Sequence, residues 1–249
     1  MGVFVMSERL GEENYNQYGT RMKIIEYVNF HKIKVEFQDK YKTVVQTSYH
    51  HFIDGSVKNP YDKSIYNIGY VGKGKYNRTK DLKAYTCWKN MLMRCYDPYY
   101  INKYPTYKDC IVAKEWHSFQ VFCDWYYKNY YEINGECMHL DKDILVKGNK
   151  VYSPENCVFV PNNINQLFVK TDSRRGDTPI GVSKDKRRGT YSTFIGHNNI
   201  GYFNNVHSAW LMYKINKELV IQSIADEYKD LIPKKLYDAM YNYKVEIND

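Results

Sequence analysis

The sequence lacks the features that mark several special classes of protein. No apolar run approaches the roughly 18 residues of a membrane-spanning helix, and we find no internal repeat or low-complexity tract. Hydrophobic residues make up 43% of the 249 residues and charged residues 26%, a balance that excludes a disordered chain. The apolar start, residues 1–7, is short and has no basic leader, so we do not expect a signal peptide. We therefore expect a globular, cytoplasmic protein with no membrane contact.

The six cysteines form no recognisable framework. No two of them make a Cys-x-x-Cys pair, and their spacings of 8, 15, 13, 14 and 20 residues match no common zinc template. In a reducing compartment such residues are most often buried thiols. A structural zinc site remains the alternative.

Positive charge and tyrosine are present in excess. Lys and Arg number 36 against 28 Asp and Glu, which gives a net charge of +8, and there are 27 tyrosines. The charge is concentrated in residues 58–89, with eight bases and two acids, and in 171–204, with six bases and three acids. Basic groups among amphipathic rings suit a surface that contacts phosphates, sugars and bases. The alternative is a solvated basic face on a protein whose codons favour Tyr, Asn, Lys and Ile.

Hydrophobic periodicity predicts an α+β protein in three parts. Residues 22–27, 33–37 and 43–47 read as short strands, the first two with clear apolar–polar alternation, and predict a small β-meander. A basic arm over 59–75 completes the first part. We therefore expect a β module and arm over 1–80.

The central part, 81–170, is predicted to be a ββα unit with flanking helices. Five apolar residues lie on one helical face: Ala84, Trp88, Met91, Leu92 and Cys95. A second helix is expected over about 114–130, with its inward face formed by Trp116, Phe119, Val121, Phe122 and Trp125. Two strands, over about 138–145 and 157–160, and a short helix from Asn162 follow.

The last part, 171–249, is predicted to be a three-stranded sheet followed by helices. The strands are expected at 180–182, 191–195 and 201–203, with turns at Gly189 and at 198–199. Three helices are then expected over 205–218, 221–231 and 233–243.

Polar side chains mark the ends of the central strands. Asp141 ends one predicted strand, Asn156 opens the next, and Asn165 lies nine residues later on the predicted helix. A ββα hairpin would bring these three side chains together. One carboxylate with neutral oxygens suits Mg²⁺ or another hard divalent cation, which would clamp a scissile phosphate.

Four motifs of the central part occur in a distinctive order. They are Tyr85-x-x-Trp88-x-x-Met91-x-x-Arg94-Cys95-Tyr96, Tyr107 to Glu115-Trp116-x-x-Phe119-x-x-Phe122, Leu140-Asp141-Lys142-Asp143 and Tyr152-Ser153-Pro154-Glu155-Asn156-Cys157. Together, over residues 85–168, they resemble the phage-type HNH endonucleases. The resemblance implies that Asp141 and Asn156 hold the metal ion and that Asn165 occupies the third family position. We also expect Arg94 to contact a phosphate, because a guanidinium matches phosphate geometry.

The sequence departs from this family at the general base. The family often has a His directly after the metal-binding carboxylate, whereas here that residue is Lys142, and an ordinary Lys is protonated near pH 7. His139 would point to the same strand face as Asp141 and is a provisional base or ligand; the alternative is a packing residue. Two functions follow: a metal-dependent endonuclease, or a catalytically degenerate binding protein such as an inhibitor of a host nuclease or defence complex.

The C-terminal part carries a second set of motifs. They are Gly181-Val182, basic residues up to Arg188, Gly189-Thr190-Tyr191-x-Thr193-x-Ile195 and Gly201-Tyr202-Phe203. Together they resemble the three-stranded DNA-binding domain of ethylene-response factors, in which the sheet lies in the major groove. The resemblance implies that double-stranded DNA is contacted by Lys184, Lys186, Arg187, Arg188, Tyr191 and Thr193. The alternative is a sheet packed on its own helix beside a solvated basic loop. We expect a DNA-binding protein of the homing-endonuclease type in the cytoplasm of a bacterial host cell.

Overall fold

The computed structural model describes residues 9–169, 177–196 and 198–247, which form a mixed α+β fold as predicted. The α-helices of this part are α1 (Tyr49–Ile53), α2 (Leu82–Tyr96), α3 (Pro98–Lys103), α4 (Phe119–Asn129), α5 (Asn162–Leu167), α6 (Val206–Glu227) and α7 (Lys234–Tyr241). The strands are β1 (Glu13–Tyr15), β2 (Arg21–Asn29), β3 (Lys32–Phe37), β4 (Val44–Thr47), β5 (Ile111–Val112), β6 (Met138–Asp141), β7 (Val151–Tyr152), β8 (Val158–Pro161), β9 (Val182–Asp185), β10 (Thr190–Ile195) and β11 (Asn198–Phe203).

Contacts divide the chain into two compact units. The first comprises Met1–Lys128 with Lys150–Ser153, and the second comprises Asn129–Asn149 with Pro154–Asp249. This division differs from the three domains expected from the sequence, which remain a prediction. Within the described ranges, no helix is long and apolar enough to cross a membrane.

The N-terminal sheet is an antiparallel meander in the order β1-β2-β3-β4, which confirms the predicted strands and adds β1. Alternate residues of β2 and β3 are fully buried and pack with Phe52 of α1 and with Val57. The alternation works because successive side chains of a strand point to opposite faces.

The basic arm lies on helices α2 and α4. Gln120 Nε2 donates hydrogen bonds to the carbonyl oxygens of Val71 (3.2 Å) and Tyr76 (3.0 Å). A Cβ atom at Gly69 would collide with Trp88 and Leu92, so the chain approaches α2 as closely as only glycine allows. The backbone of the arm is therefore fixed, while its lysines stay exposed.

Helix α2 buries the five predicted residues, but the second predicted helix is divided. A 3₁₀ turn spans Lys114–His117, and α4 begins only at Phe119. In α4 Val121 is 43% exposed, whereas Cys123 is buried. The prediction that Val121 faces inward is wrong.

The second unit is organised around the 22-residue helix α6, which was predicted as two helices. Its first half packs on the antiparallel sheet β11-β10-β9, where Tyr213 lies against Gly181. Its second half supplies Ile221 and Ala225 to a hydrophobic core that also contains buried residues of β8, α5 and α7. The turn predicted at 198–199 is wrong, since these residues begin β11.

Candidate metal centre and nucleic-acid interface

Strands β6 and β8 and helix α5 form the expected ββα arrangement. The strands pair antiparallel, with His139 opposite Val160 and Asp141 opposite Val158. Helix α5 begins directly after β8, where Pro161 has the extended backbone typical of a residue that precedes a helix. Val158 and Val160 are buried in the hydrophobic core, so His139 and Asp141 share a strand face with core residues.

The side chain of Asp141 ends strand β6. Its Oδ1 accepts the backbone N–H groups of Asp143 (2.8 Å) and Ile144 (2.7 Å), which turns the chain out of the strand four residues earlier than the sequence predicted. Within the described residues, Oδ2 has no hydrogen-bond partner. One carboxylate oxygen is therefore fixed, and the other remains available to a ligand.

The surroundings of Asp141 disfavour its charge. Burial and repulsion from the Asp143 carboxylate raise the pKa of Asp141 to about 6, although two backbone N–H groups and the Lys142 ammonium act in the opposite direction. A bound cation would restore the preference for the ionised form. A partly buried carboxyl group with a raised pKa is typical of functional sites.

Lys142 pairs with Asp143 beside this carboxylate. Its side chain is only 9% exposed, and its Nζ lies 3.0 Å from Oδ2 of Asp143. An ordinary lysine is charged near pH 7 and cannot accept a proton. Lys142 therefore does not take the place of the family's neutral histidine.

A hydrogen-bonded chain connects Asn156 to the turn after Asp141. Asn149 Nδ2 donates to the backbone oxygen of Lys142 (2.6 Å), and Asn156 Nδ2 donates to Oδ1 of Asn149 (3.4 Å). The Asn149 side chain thus bridges Asn156 and the turn at Asp141–Lys142. Sequence reasoning missed Asn149, which follows the left-handed Gly148 (φ +77°) in the connection between β6 and β7.

The other two predicted catalytic residues lie on the same ββα arrangement. His139 is half-buried on the strand face of Asp141, and its ring makes no hydrogen bond within the described ranges. Asn165 is half-buried in α5, where its backbone oxygen accepts the N–H of Phe168 (3.2 Å). Their roles remain predictions.

Arg94 belongs to the first unit and lies in the last turn of α2. Its guanidinium carbon is 5.8 Å from the ring centroid of Tyr107, and its side chain hydrogen-bonds to that of Tyr152. Its Nε is buried without an acceptor in the part of the chain that the structure describes. The geometry assigns Arg94 a packing position among tyrosines, and a phosphate contact there remains a prediction.

The two faces of the C-terminal sheet differ. Thr193 pairs with Val182, both are buried, and the Thr193 hydroxyl donates to the Gly181 carbonyl (2.6 Å), so this face is the one covered by α6. Tyr191 shares that face by alternation, with Lys184 Nζ 5.8 Å from its ring centroid.

The opposite face of this sheet is more open. Ser192 pairs with both Ser183 and Tyr202, and the Tyr202 side chain is 57% exposed. Sequence reasoning missed these residues because alternation separates two faces without saying which one a helix covers.

The predicted basic residues of the β9–β10 turn are exposed: Lys184, Lys186, Arg187 and Arg188. Asp185 Oδ1 accepts the backbone N–H groups of Arg187 (2.9 Å) and Arg188 (3.2 Å), which fixes the turn that presents their side chains. The turn therefore places several exposed, positively charged side chains next to one another at one end of the sheet.

No family model, curated protein or solved structure matches the chain. Within the described ranges, no group of three or more His, Cys, Asp and Glu side chains is placed to hold a metal ion. The ligand set expected from the sequence is of another kind, with one carboxylate and amide oxygens.

Proposed function

We propose that the chain is a DNA-binding protein of the homing-endonuclease type that cleaves phosphodiester bonds of double-stranded DNA with one divalent ion. The observation that supports this best is the open Oδ2 of Asp141 beside the hydrogen-bonded chain to Asn156. A carboxylate oxygen that accepts no hydrogen bond within the described residues, on a turn linked to Asn156, suits a hard cation such as Mg²⁺.

Three residues of the ββα arrangement have roles in this proposal. Asp141 and Asn156 would hold the cation, which would stabilise negative charge on the scissile phosphate. His139 accepts a proton from water, since a neutral imidazole does so near pH 7.

Two exposed basic regions would position the DNA. In the first unit, four cations make no ion pair within the described residues: Lys73, Arg78, Lys80 and Lys89. In the second unit, the β9–β10 turn supplies Lys186, Arg187 and Arg188. Such contacts give affinity that falls steeply with salt. We assign base reading to the exposed Ser183 and Tyr202 on the open sheet face, because base edges are reached only by exposed side chains.

Nicking of supercoiled plasmid tests this proposal. We expect cleavage with Mg²⁺ or Mn²⁺ and none with EDTA. Asp141→Ala should abolish cleavage and leave DNA affinity nearly unchanged, whereas Asp230→Ala, at an exposed carboxylate of the same unit, should alter neither. A wild-type protein that is inert with every divalent ion would overturn the nuclease proposal.

A second candidate function is favoured by the Lys142–Asp143 ion pair. With a lysine at the usual base position, the chain would be a degenerate HNH-like protein that binds DNA or a host defence protein without cutting. Lys142→His separates the two functions. If an inert wild type gains nicking activity from this change, only the base was lost; if it binds no divalent ion and is not rescued, the binding role stands.

A further inference from the structure

Two tyrosine rings of the first unit lie face to face. The centroids of Tyr41, in the β3–β4 turn, and Tyr61, in the basic arm, are 3.6 Å apart, and the ring planes differ by 7°. Aromatic pairs normally prefer offset or edge-to-face geometry. The parallel stack therefore needs other contacts to hold it, and Tyr41 still has 39% of its surface exposed.

One carboxylate and one amide hold both rings in place. Asp39 Oδ1 accepts the backbone N–H groups of Tyr41 (2.9 Å) and Lys42 (3.1 Å). Asn59 Nδ2 donates to Asp39 Oδ2 (2.7 Å), while Asn59 Oδ1 accepts the backbone N–H of Tyr61 (3.1 Å). Since Asn59 is buried, the two tyrosines are positioned by a fixed pair of side chains rather than by each other.

One lysine contacts this stack, and a second, Lys73, follows Gly72, where a Cβ atom would lie 3.7 Å from the Tyr61 ring. Lys40 Nζ lies 4.8 Å from the ring centroid of Tyr41, and Lys73 Nζ donates to the Val44 carbonyl at the start of β4 (3.3 Å). Both are exposed, and neither has a carboxylate within ion-pair distance in the described part of the chain. The nearby Asp39 already accepts three hydrogen bonds. We refer to Lys40, Tyr41, Tyr61 and Lys73 as the Tyr41 platform.

We propose that the Tyr41 platform binds single-stranded nucleic acid. One base would stack on Tyr41, after the flexible Lys40 side chain moves from the ring to a phosphate, and Lys73 would contact a neighbouring phosphate. A ring held in advance suits this role because stacking needs a fixed flat surface and tolerates any base. Bases of an intact duplex are already stacked on each other, so this platform distinguishes unpaired strands. The proposal concerns a different unit from the metal centre and does not depend on cleavage.

Fluorescence titration of the full chain tests the platform. The probes are ten-nucleotide DNA and RNA strands that contain 2-aminopurine, whose fluorescence is quenched by stacking. We expect Tyr41→Leu to weaken binding about 5- to 150-fold and to abolish quenching, as loss of one stacked base does. The matched control is Tyr18→Leu, at a 54% exposed tyrosine of the same unit on which no ring of the described residues is stacked, and it should leave both unchanged. Comparison of the two strands tells whether DNA or RNA is preferred.

Replacement of the two lysines tests the phosphate contacts separately from stacking on the Tyr41 ring. The double variant Lys40→Gln/Lys73→Gln should reduce the slope of the logarithm of the binding constant against the logarithm of the salt concentration by about 1.4. This value corresponds to the loss of two phosphate contacts on a single strand. Equal affinity of the Tyr41→Leu and Tyr18→Leu proteins, or tighter binding of a proline-rich peptide that displaces the strand, would overturn the proposal. Duplex affinity and plasmid nicking, measured in parallel, should be unchanged in Tyr41→Leu, so a failure of the nuclease proposal is recognised separately.

Discussion

Replacement of Asp141 by asparagine tests the electrostatics of the candidate metal centre without a cleavage assay. Asparagine keeps an oxygen that accepts the N–H groups of Asp143 and Ile144 but removes the charge. Burial and repulsion from Asp143 raise the pKa of Asp141 from 3.8 to about 6. An acid with a raised pKa stabilises the fold while it is protonated, so this stability is present below pH 3.8 and is lost as the pH rises through 6.

The size of the effect follows from the pKa difference. About two units at about 1.4 kcal/mol each give a cost on the order of 3 kcal/mol once Asp141 is fully ionised. We therefore expect Asp141→Asn to be more stable than the wild type by this amount at pH 7, with a difference that shrinks as the pH falls from 6 towards 4.

Urea unfolding in EDTA between pH 4 and 8 measures this difference. Asp230→Asn, at an exposed position, should show no comparable gain. Addition of Mg²⁺ should then stabilise the wild type and not Asp141→Asn. An Asp141→Asn protein that is less stable than the wild type at pH 7, or more stable by the same amount at every pH, would refute the reasoning.

Three further predictions concern the second unit. Gly181 has φ +73° and a Cβ there would collide with the Tyr213 ring, so Gly181→Ala should cost about 2–4 kcal/mol in urea unfolding; Gly189→Ala, at φ +67° in open space, should cost only about 1 kcal/mol. Burial alone would raise the pKa of Glu218, but hydrogen bonds from Lys214 (2.6 Å) and the Val245 N–H (2.8 Å) bring that pKa below its ordinary 4.5. Glu218→Gln should therefore lose roughly 1–2 kcal/mol at pH 7, with a smaller loss on acidification through the lowered pKa, and a pH-independent loss would contradict this account. Removal of residues from 206 onwards takes Ile221 and Ala225 from the core shared with β8 and α5, and circular dichroism should show that the ββα arrangement unfolds; a stable fragment would contradict that core.

Hydrophobic periodicity was sufficient to predict the elements that pack on a single core along their whole length. Alternation identified β2 and β3, and the spacing from Ala84 to Cys95 identified the buried face of α2, because one side of each element contacts the core. The single helix α6 could not be predicted this way. Its buried residues Ala209, Tyr213, Ile221 and Ala225 follow one four-residue spacing, but Lys217 interrupts the apolar series where the packing partner changes from the sheet to the second core.

The residue types of the candidate site could be predicted from the sequence, but the hydrogen bonds that join these residues could not. The spacing of Asp141 and Asn156 indicated two strand ends, and the structure links these residues through Asn149. That link depends on a turn geometry that the sequence does not specify. In the same way, the buried position of Thr193 depends on which sheet face α6 covers, which is decided by tertiary packing.

Helix α6 also sets a distance. Tyr213, against the sheet, and Ala225, in the core beside the ββα arrangement, are twelve residues apart on one uninterrupted helix, which corresponds to roughly 18 Å at about 1.5 Å per residue. If the proposed function is correct, this helix fixes the distance along the DNA between the recognised sequence and the cleaved bond. The distance corresponds to roughly five base pairs at about 3.4 Å each. A target DNA with extra base pairs inserted between the recognised sequence and the original cleavage site would then still be bound. It would be cut at the same distance from the recognised sequence as before.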